Sequence, residues 1–81
     1  MNYDVIEARY LAGDAIWLRF RDNTSGEIDL ERVLYGPVFE PLRDPTVFKQ
    51  FQIHREFHTL TWPNGANFAR EFLYDTIRVT A

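Results

Sequence analysis

Eighty-one residues, 46% of them apolar and 16% aromatic, suffice for one small core and are too apolar for a disordered chain. A formal charge of -3 and a pI near 5.2 argue against a generic nucleic-acid binder, because phosphate contacts need clustered cations. With no cysteine there are no disulfides or thiolate chemistry, and no apolar window approaches the roughly 18 residues of a membrane span, so a cytoplasmic protein is expected.

Tyr3 to Tyr10 has a short β-like pattern, and Ala12-Gly13-Asp14 reads as a reversal into Ala15 to Arg21. That second segment alternates, with Ile16, Leu18 and Phe20 on the face expected to be buried and Trp17, Arg19 and Arg21 on the other. Asp22-Asn23 marks a hairpin leading to Glu27-Ile28-Asp29-Leu30. A two-residue turn there would set Ile28 opposite Trp17 and turn Ile28 and Leu30 away from the core. A bulge at Gly26 or an odd loop must therefore restore the phase.

Asp29 offers a cap for a helical turn over Glu31 to Leu34, which Gly36-Pro37 ends. Val38 to Leu42 reads as an irregular apolar link laying Phe39 and Leu42 over the sheet. Asp44-Pro45 opens a second brief helix, the carboxylate as N-cap and the proline at N1, with Val47, Phe48 and Phe51 as its apolar side. Phe51 to Arg55 and His58 to Trp62 form a second hairpin. Keeping Phe51 and Ile53 on the face of Leu60 and Trp62 needs an even loop, and Arg55 to His58, without Gly, Asn or Asp, suits a four-residue connection.

Trp62-Pro63-Asn64-Gly65 is the strongest turn signal: Pro63 fixes its own φ and extends Trp62, while Asn64-Gly65 accepts positive φ. Asn67 is then placed to cap a helix over Phe68 to Tyr74, in which Phe68, Phe72 and Leu73 fall at helical spacing. Ile77 and Val79 alternate as a last strand. These elements predict an α+β domain over residues 1–81, with two antiparallel hairpins in one sheet of four or five strands and two or three short helices. Phe20, Phe39, Phe48, Trp62, Phe68 and Phe72 are expected to fill it.

In this order the residues resemble a known bacterial family. Leu18-Arg19-Phe20, Asp22-Asn23, Ile28-Asp29-Leu30, Gly36-Pro37-Val38-Phe39, Leu42-Arg43-Asp44, Phe48, Leu60 to Asn67 and Leu73-Tyr74 are similar to the domain of unknown function 2442 family, over residues 5 to 74. Two positions depart from its pattern: Asp22-Asn23 replaces Asp-Gly, and Ala66-Asn67 before Phe68-Ala69-Arg70 replaces Ala-Asp before a Pro-Glu helix start. Both keep the local physics, since Asn tolerates positive φ and caps about as well as Asp. The resemblance implies a small α+β domain without known catalytic activity. It also implies that some members are encoded beside another small protein, an arrangement like that of toxin and antitoxin pairs.

Catalytic, cofactor and metal residues are expected to be none. His54 and His58 lie in a hairpin with only Glu56 near them, short of the three or four ligands that zinc takes. Among the carboxylates that could do acid–base work, Asp22, Asp29, Asp44 and Asp75, the first three have turn or capping duties. Ser25 lacks a Gly-x-Ser-x-Gly elbow, and the four glycines are isolated. The stripe Trp17, Arg19, Arg21, extended by Tyr10, has the aromatic and arginine make-up of an interface hot spot. It equally fits a solvated face on which Arg stems cover Trp17 and pair with Glu7 or Asp29. Trp62, Pro63, Asn64, Gly65 and Asn67 read as a structural turn.

The expected function is a non-catalytic protein-interaction module, antitoxin-like in its pairing with a small neighbouring protein, with no membrane association. A nucleic-acid-binding or regulatory accessory is the alternative, weakened by the acidity and by the lack of a helix-turn-helix pattern. An uncovered Trp17 face or edge strand would also permit a homodimer.

Overall fold

The computed structural model describes residues 3–79. Strands β1 (Val5–Ala12), β2 (Ala15–Phe20) and β3 (Ser25–Asp29) form an antiparallel meander. Two 3-10 turns, Glu31–Val33 and Glu40–Arg43, lead to α1 (Pro45–Phe48). A hairpin of β4 (Gln52–Ile53) and β5 (Leu60–Thr61) follows, then α2 (Arg70–Thr76) and β6 (Arg78–Val79), which pairs with β3 to complete a sheet in the order β1-β2-β3-β6.

The phase problem of the first hairpin is solved in its loop. The Phe20 N–H donates to the Thr24 carbonyl at 2.8 Å and the Asn23 N–H to the Phe20 carbonyl at 2.9 Å, closing a three-residue loop with Asn23 at φ 74°. Ile28 then faces Ile16 and Gly26 faces Leu18, in unbroken register and with no bulge at Gly26. Since a left-handed conformation costs an L residue roughly 1 to 2 kcal/mol, Asn23→Gly should raise unfolding free energy and Asn23→Ala lower it by about 1 kcal/mol. Urea unfolding of the two variants checks the signs.

Local signals hold through the middle of the chain. The Asp44 carboxylate accepts from the Thr46 N–H at 2.9 Å and Pro45 occupies the first helical position. Asp29 accepts from the Glu31 N–H at 3.0 Å, although the cap position itself falls to Leu30. Val38 to Leu42 is more regular than expected, since Glu40–Arg43 winds into a 3-10 turn that buries Leu42. In the second hairpin, Ile53 faces Leu60 and Gln52 faces Thr61, and the loop is the four residues Arg55 to His58.

Three expectations need correction. The two hairpins do not share one sheet: β4 and β5 make a separate two-stranded sheet beside β1. Register shifts between Val5 and Glu7 and between Tyr10 and Ala12 break the edge that β1 would offer, and the Val5 N–H to His58 carbonyl bond, 2.9 Å, joins the two parts. Asn67 does not cap α2, whose cap position is Ala69 with no side-chain bond. Extended pairing wins at Asn67: its backbone bridges Thr61, and its amide donates to the Gly65 carbonyl at 3.2 Å. Phe39 and Phe72 are only half-buried, because both pack at the rim on Phe68.

The core lies between the inner face of the meander and everything after it. Val5, Ile16, Leu18, Phe20, Ile28 and Leu30 meet Leu34, Leu42, Phe48, Leu60, Trp62 and Leu73, all 3% exposed or less. The side chains of odd-numbered β2 residues are left on the opposite, open face.

Candidate partner-binding surfaces

The register centred on Gly13 sets Arg9 opposite Trp17 and Glu7 opposite Arg19 on that open face. Arg9 lies over the Trp17 ring at 5.6 Å from its centroid. Glu7 accepts from Arg19 at 2.9 Å and from Arg9 at 2.8 Å, and Arg19 and Arg9 in that order hold its carboxyl below the ordinary range. Arg21 pairs with Asp4 at 3.4 Å, and Arg70 reaches the same carboxylate. Trp17 and Arg19 are thus brought to one face, Arg9 covering the ring and Glu7 meeting Arg19, while Arg21 lies just beyond the end of β2 on an Asp4 carboxylate that it shares with Arg70 of α2. Two details differ from the sequence reading. Tyr10 is on the other side, against Phe48 at 6.1 Å, since it faces Ile16. The cation over Trp17 comes from β1; Asp29 is spent on the Glu31 N–H. Reading the Ala12-Gly13-Asp14 turn as a symmetric reversal would have placed Arg9 there.

A second network ties α2 to the first hairpin. The Tyr74 hydroxyl donates to Asp22 at 2.6 Å, and the Thr24 N–H donates to the same side chain at 2.9 Å. Tyr74 first and Thr24 second hold the Asp22 carboxyl below its ordinary value of 3.8, while Asp22 pushes the phenol of Tyr74 above 10.0. A lowered carboxyl contributes stability that is complete above the unfolded value and lost as pH falls through the folded one. A raised phenol contributes stability that is complete below 10.0 and lost as pH rises through its folded value. Tyr74→Phe should therefore flatten the stability profile in both windows, below about pH 4 and above about pH 10, and unfolding curves across pH measure it.

The Trp-Pro-Asn-Gly turn is closed by hydrogen bonds of its own residues and anchored to the core through Trp62. The Gly65 N–H donates to the Trp62 carbonyl at 3.0 Å with Gly65 at φ 89°; Asn64, unlike the expectation, keeps a negative φ. The Asn64 side chain accepts from the Ala66 N–H and donates to the Val38 carbonyl, each at 3.0 Å. The Trp62 indole N–H donates to the Phe48 carbonyl at 2.8 Å.

A scan of family models decides which kind of chain this is: the one described as "Protein of unknown function (DUF2442)" matches residues 5–79. The chain belongs to the DUF2442 family. No curated protein and no solved structure matches it. The match runs from the start of β1 to the end of β6, so it covers both sheets of this DUF2442 fold.

Beyond the turn, the DUF2442 chain runs extended from Ala66 to Ala69, antiparallel to β5: the Trp62 N–H donates to the Ala66 carbonyl at 2.9 Å, and the Phe68 N–H to the Leu60 carbonyl at 3.4 Å. The buried hydroxyl of Thr59 donates to the Phe68 carbonyl at 2.6 Å. Two concavities flank this segment and share Asn67, Phe68 and Ala69. One, about 430 Å³, is lined by His54, Phe57, Thr59, Thr61, Arg70 and Glu71; the other, about 340 Å³, by Val33, Tyr35, Phe39 and Phe72. Sequence reasoning set His54 beside His58, yet the ring of His54 serves its own loop, Nδ1 accepting from the Glu56 and Phe57 N–H groups at 3.0 and 3.1 Å. Among the described residues no three His, Asp or Glu side chains are grouped to hold a metal, and no helix is long and apolar enough to cross a membrane.

Proposed function

We propose that this chain is a non-catalytic protein-interaction module, the binding partner of a small protein encoded beside it in the manner of an antitoxin. One observation carries the reading. Tyr35 and Phe57, 67% and 63% exposed and the most exposed large apolar side chains among the described residues, line the two concavities that share Asn67 to Ala69. Apolar residues scattered singly over a surface need no explanation, whereas aromatics gathered at grooves favour a protein partner. The Trp17, Arg19 and Arg21 face ranks second, since Glu7, Asp4 and Arg9 already engage it.

Co-expression with the product of the adjacent gene, followed by size exclusion, tests the proposal. Co-migration is the expected result, and separate elution of two folded proteins would remove it. Phe57→Ser with Tyr35→Ser should weaken the complex at least tenfold with little change in melting temperature, while Trp17→Ser should leave affinity within about threefold.

A further inference from the structure

The segment Ala66 to Ala69 is the outer strand of the small sheet in all but length. Residues 62 and 66 and residues 60 and 68 form its bonded pairs, and Thr61 and Asn67 the intervening non-bonded one. By the alternation of antiparallel ladders, the Asn67 N–H and C=O and the Ala69 N–H then point away from β5. None of the three has a hydrogen-bond partner among the described residues, both residues are exposed, and the Ala69 carbonyl is taken by the Leu73 N–H at 3.2 Å. Two donors and one acceptor, at strand spacing, thus face solvent between the two concavities.

Asn67, Phe68 and Ala69 line both concavities, and the residues around them tell the two apart. Thr59 and Thr61, which alternation sets on the side of Asn67 and Ala69, line only the cleft of His54 and Arg70, while Phe39 and Phe72, which stack on Phe68 at 4.8 and 5.7 Å, line only the other. In the cleft, Nδ1 of His54 accepts two backbone N–H groups, so the ring's proton sits on Nε2, where it is a donor for an incoming acceptor.

On the reading that this chain is a protein-interaction module, we infer that its partner contributes an extended peptide segment that adds as a strand along Asn67 to Ala69. Successive residues of an added strand point to opposite faces, so the segment carries an apolar or aromatic side chain on Phe39 and Phe72, followed or preceded by one bearing a hydrogen-bond acceptor toward His54. Main-chain bonds supply the affinity and the two concavities the selectivity.

Ala69 allows a clean test. Its φ of -65° is already that of proline, and the residue before it is extended, so Ala69→Pro deletes the outward N–H while keeping the backbone path. The probe is a phage-displayed library of random decapeptides selected on the immobilised full chain, the enriched peptides then being synthesised and titrated by calorimetry. Enriched peptides should share the apolar–acceptor pair, bind the parent chain, and bind Ala69→Pro at least tenfold more weakly. N-methylation of the peptide residue that pairs with Asn67 should cause a similar loss with the protein unchanged.

Peptides that bind both proteins equally, or that shift amide signals around Trp17 and not Asn67 and Ala69, would overturn the strand addition and leave the interaction reading intact. So would an adjacent-gene partner that co-migrates with Ala69→Pro as tightly as with the parent. No enrichment at all overturns this inference, while the co-expression result decides the wider reading separately. Concentration-dependent self-association abolished by Ala69→Pro would assign the edge to a second copy and equally overturn a foreign peptide.

Discussion

Trp62→Ala is expected to lower the unfolding free energy by about 3 to 5 kcal/mol, a large share of the 5 to 15 kcal/mol that holds an ordinary domain together. The residue is 3% exposed and its ring touches those of Phe48, Phe51 and Phe68, with centroids at 5.9, 6.4 and 5.8 Å. Truncation thus opens a cavity where α1, the small sheet and the extended 66–69 segment meet. It also strands a buried acceptor, because the indole N–H is the side-chain donor to the Phe48 carbonyl at 2.8 Å.

Trp62→Phe separates the two costs. It keeps most of the apolar volume and loses the hydrogen bond, so about 1 to 3 kcal/mol of the total should persist. Urea unfolding of the two variants gives both numbers. A Trp62→Ala loss below about 1 kcal/mol would mean that the turn is anchored elsewhere.

Much of this anchoring was legible beforehand because its causes are local. Asn23 and Gly65 stand at positive φ, and Asp44-Pro45 opens a helix, in each case through chemistry confined to three or four neighbouring residues. Parity did as well: the even loop of the second hairpin follows from which face must be buried, and for the first the same rule leaves a bulge at Gly26 or an odd loop, of which the structure has the loop.

The corrections have longer-range causes. Whether two hairpins fuse depends on the edge of β1, where bulges at both ends interrupt pairing, and alternation in Val5 to Ala12 gives no sign of them. Asn67 is a sound cap by local rules, yet its pairing with Thr61 across the turn holds it extended and moves the helix start to Arg70. The 66–69 edge was missed for the same reason, since a helix was expected to cover it. On the outer face of β2, Glu7 meets Arg19 as one of the two readings of the sequence has it; that Arg9 covers Trp17 follows only from the register of the first turn.

Phe20→Ala should cost as much as the tryptophan truncation, about 3 to 5 kcal/mol, for a different reason. Phe20 is fully buried at the end of β2, where its ring meets Tyr74 edge-on at 5.0 Å, so it is one of the contacts through which the sheet holds α2. Phe20→Leu refills much of the space and should recover most of the loss in thermal or urea unfolding. Tyr74 lies in the same patch, its hydroxyl on Asp22 and its ring on Tyr3 at 4.9 Å. Once Phe20 is gone, the ring of Tyr74 has less to pack against, so Phe20→Ala combined with Tyr74→Ala should cost less than the sum of the single losses. Strict additivity would show that the aromatic pair is a neighbour of the joint and no part of it, leaving α2 held by Leu73, the Asp22 bond and the Arg70–Asp4 pair.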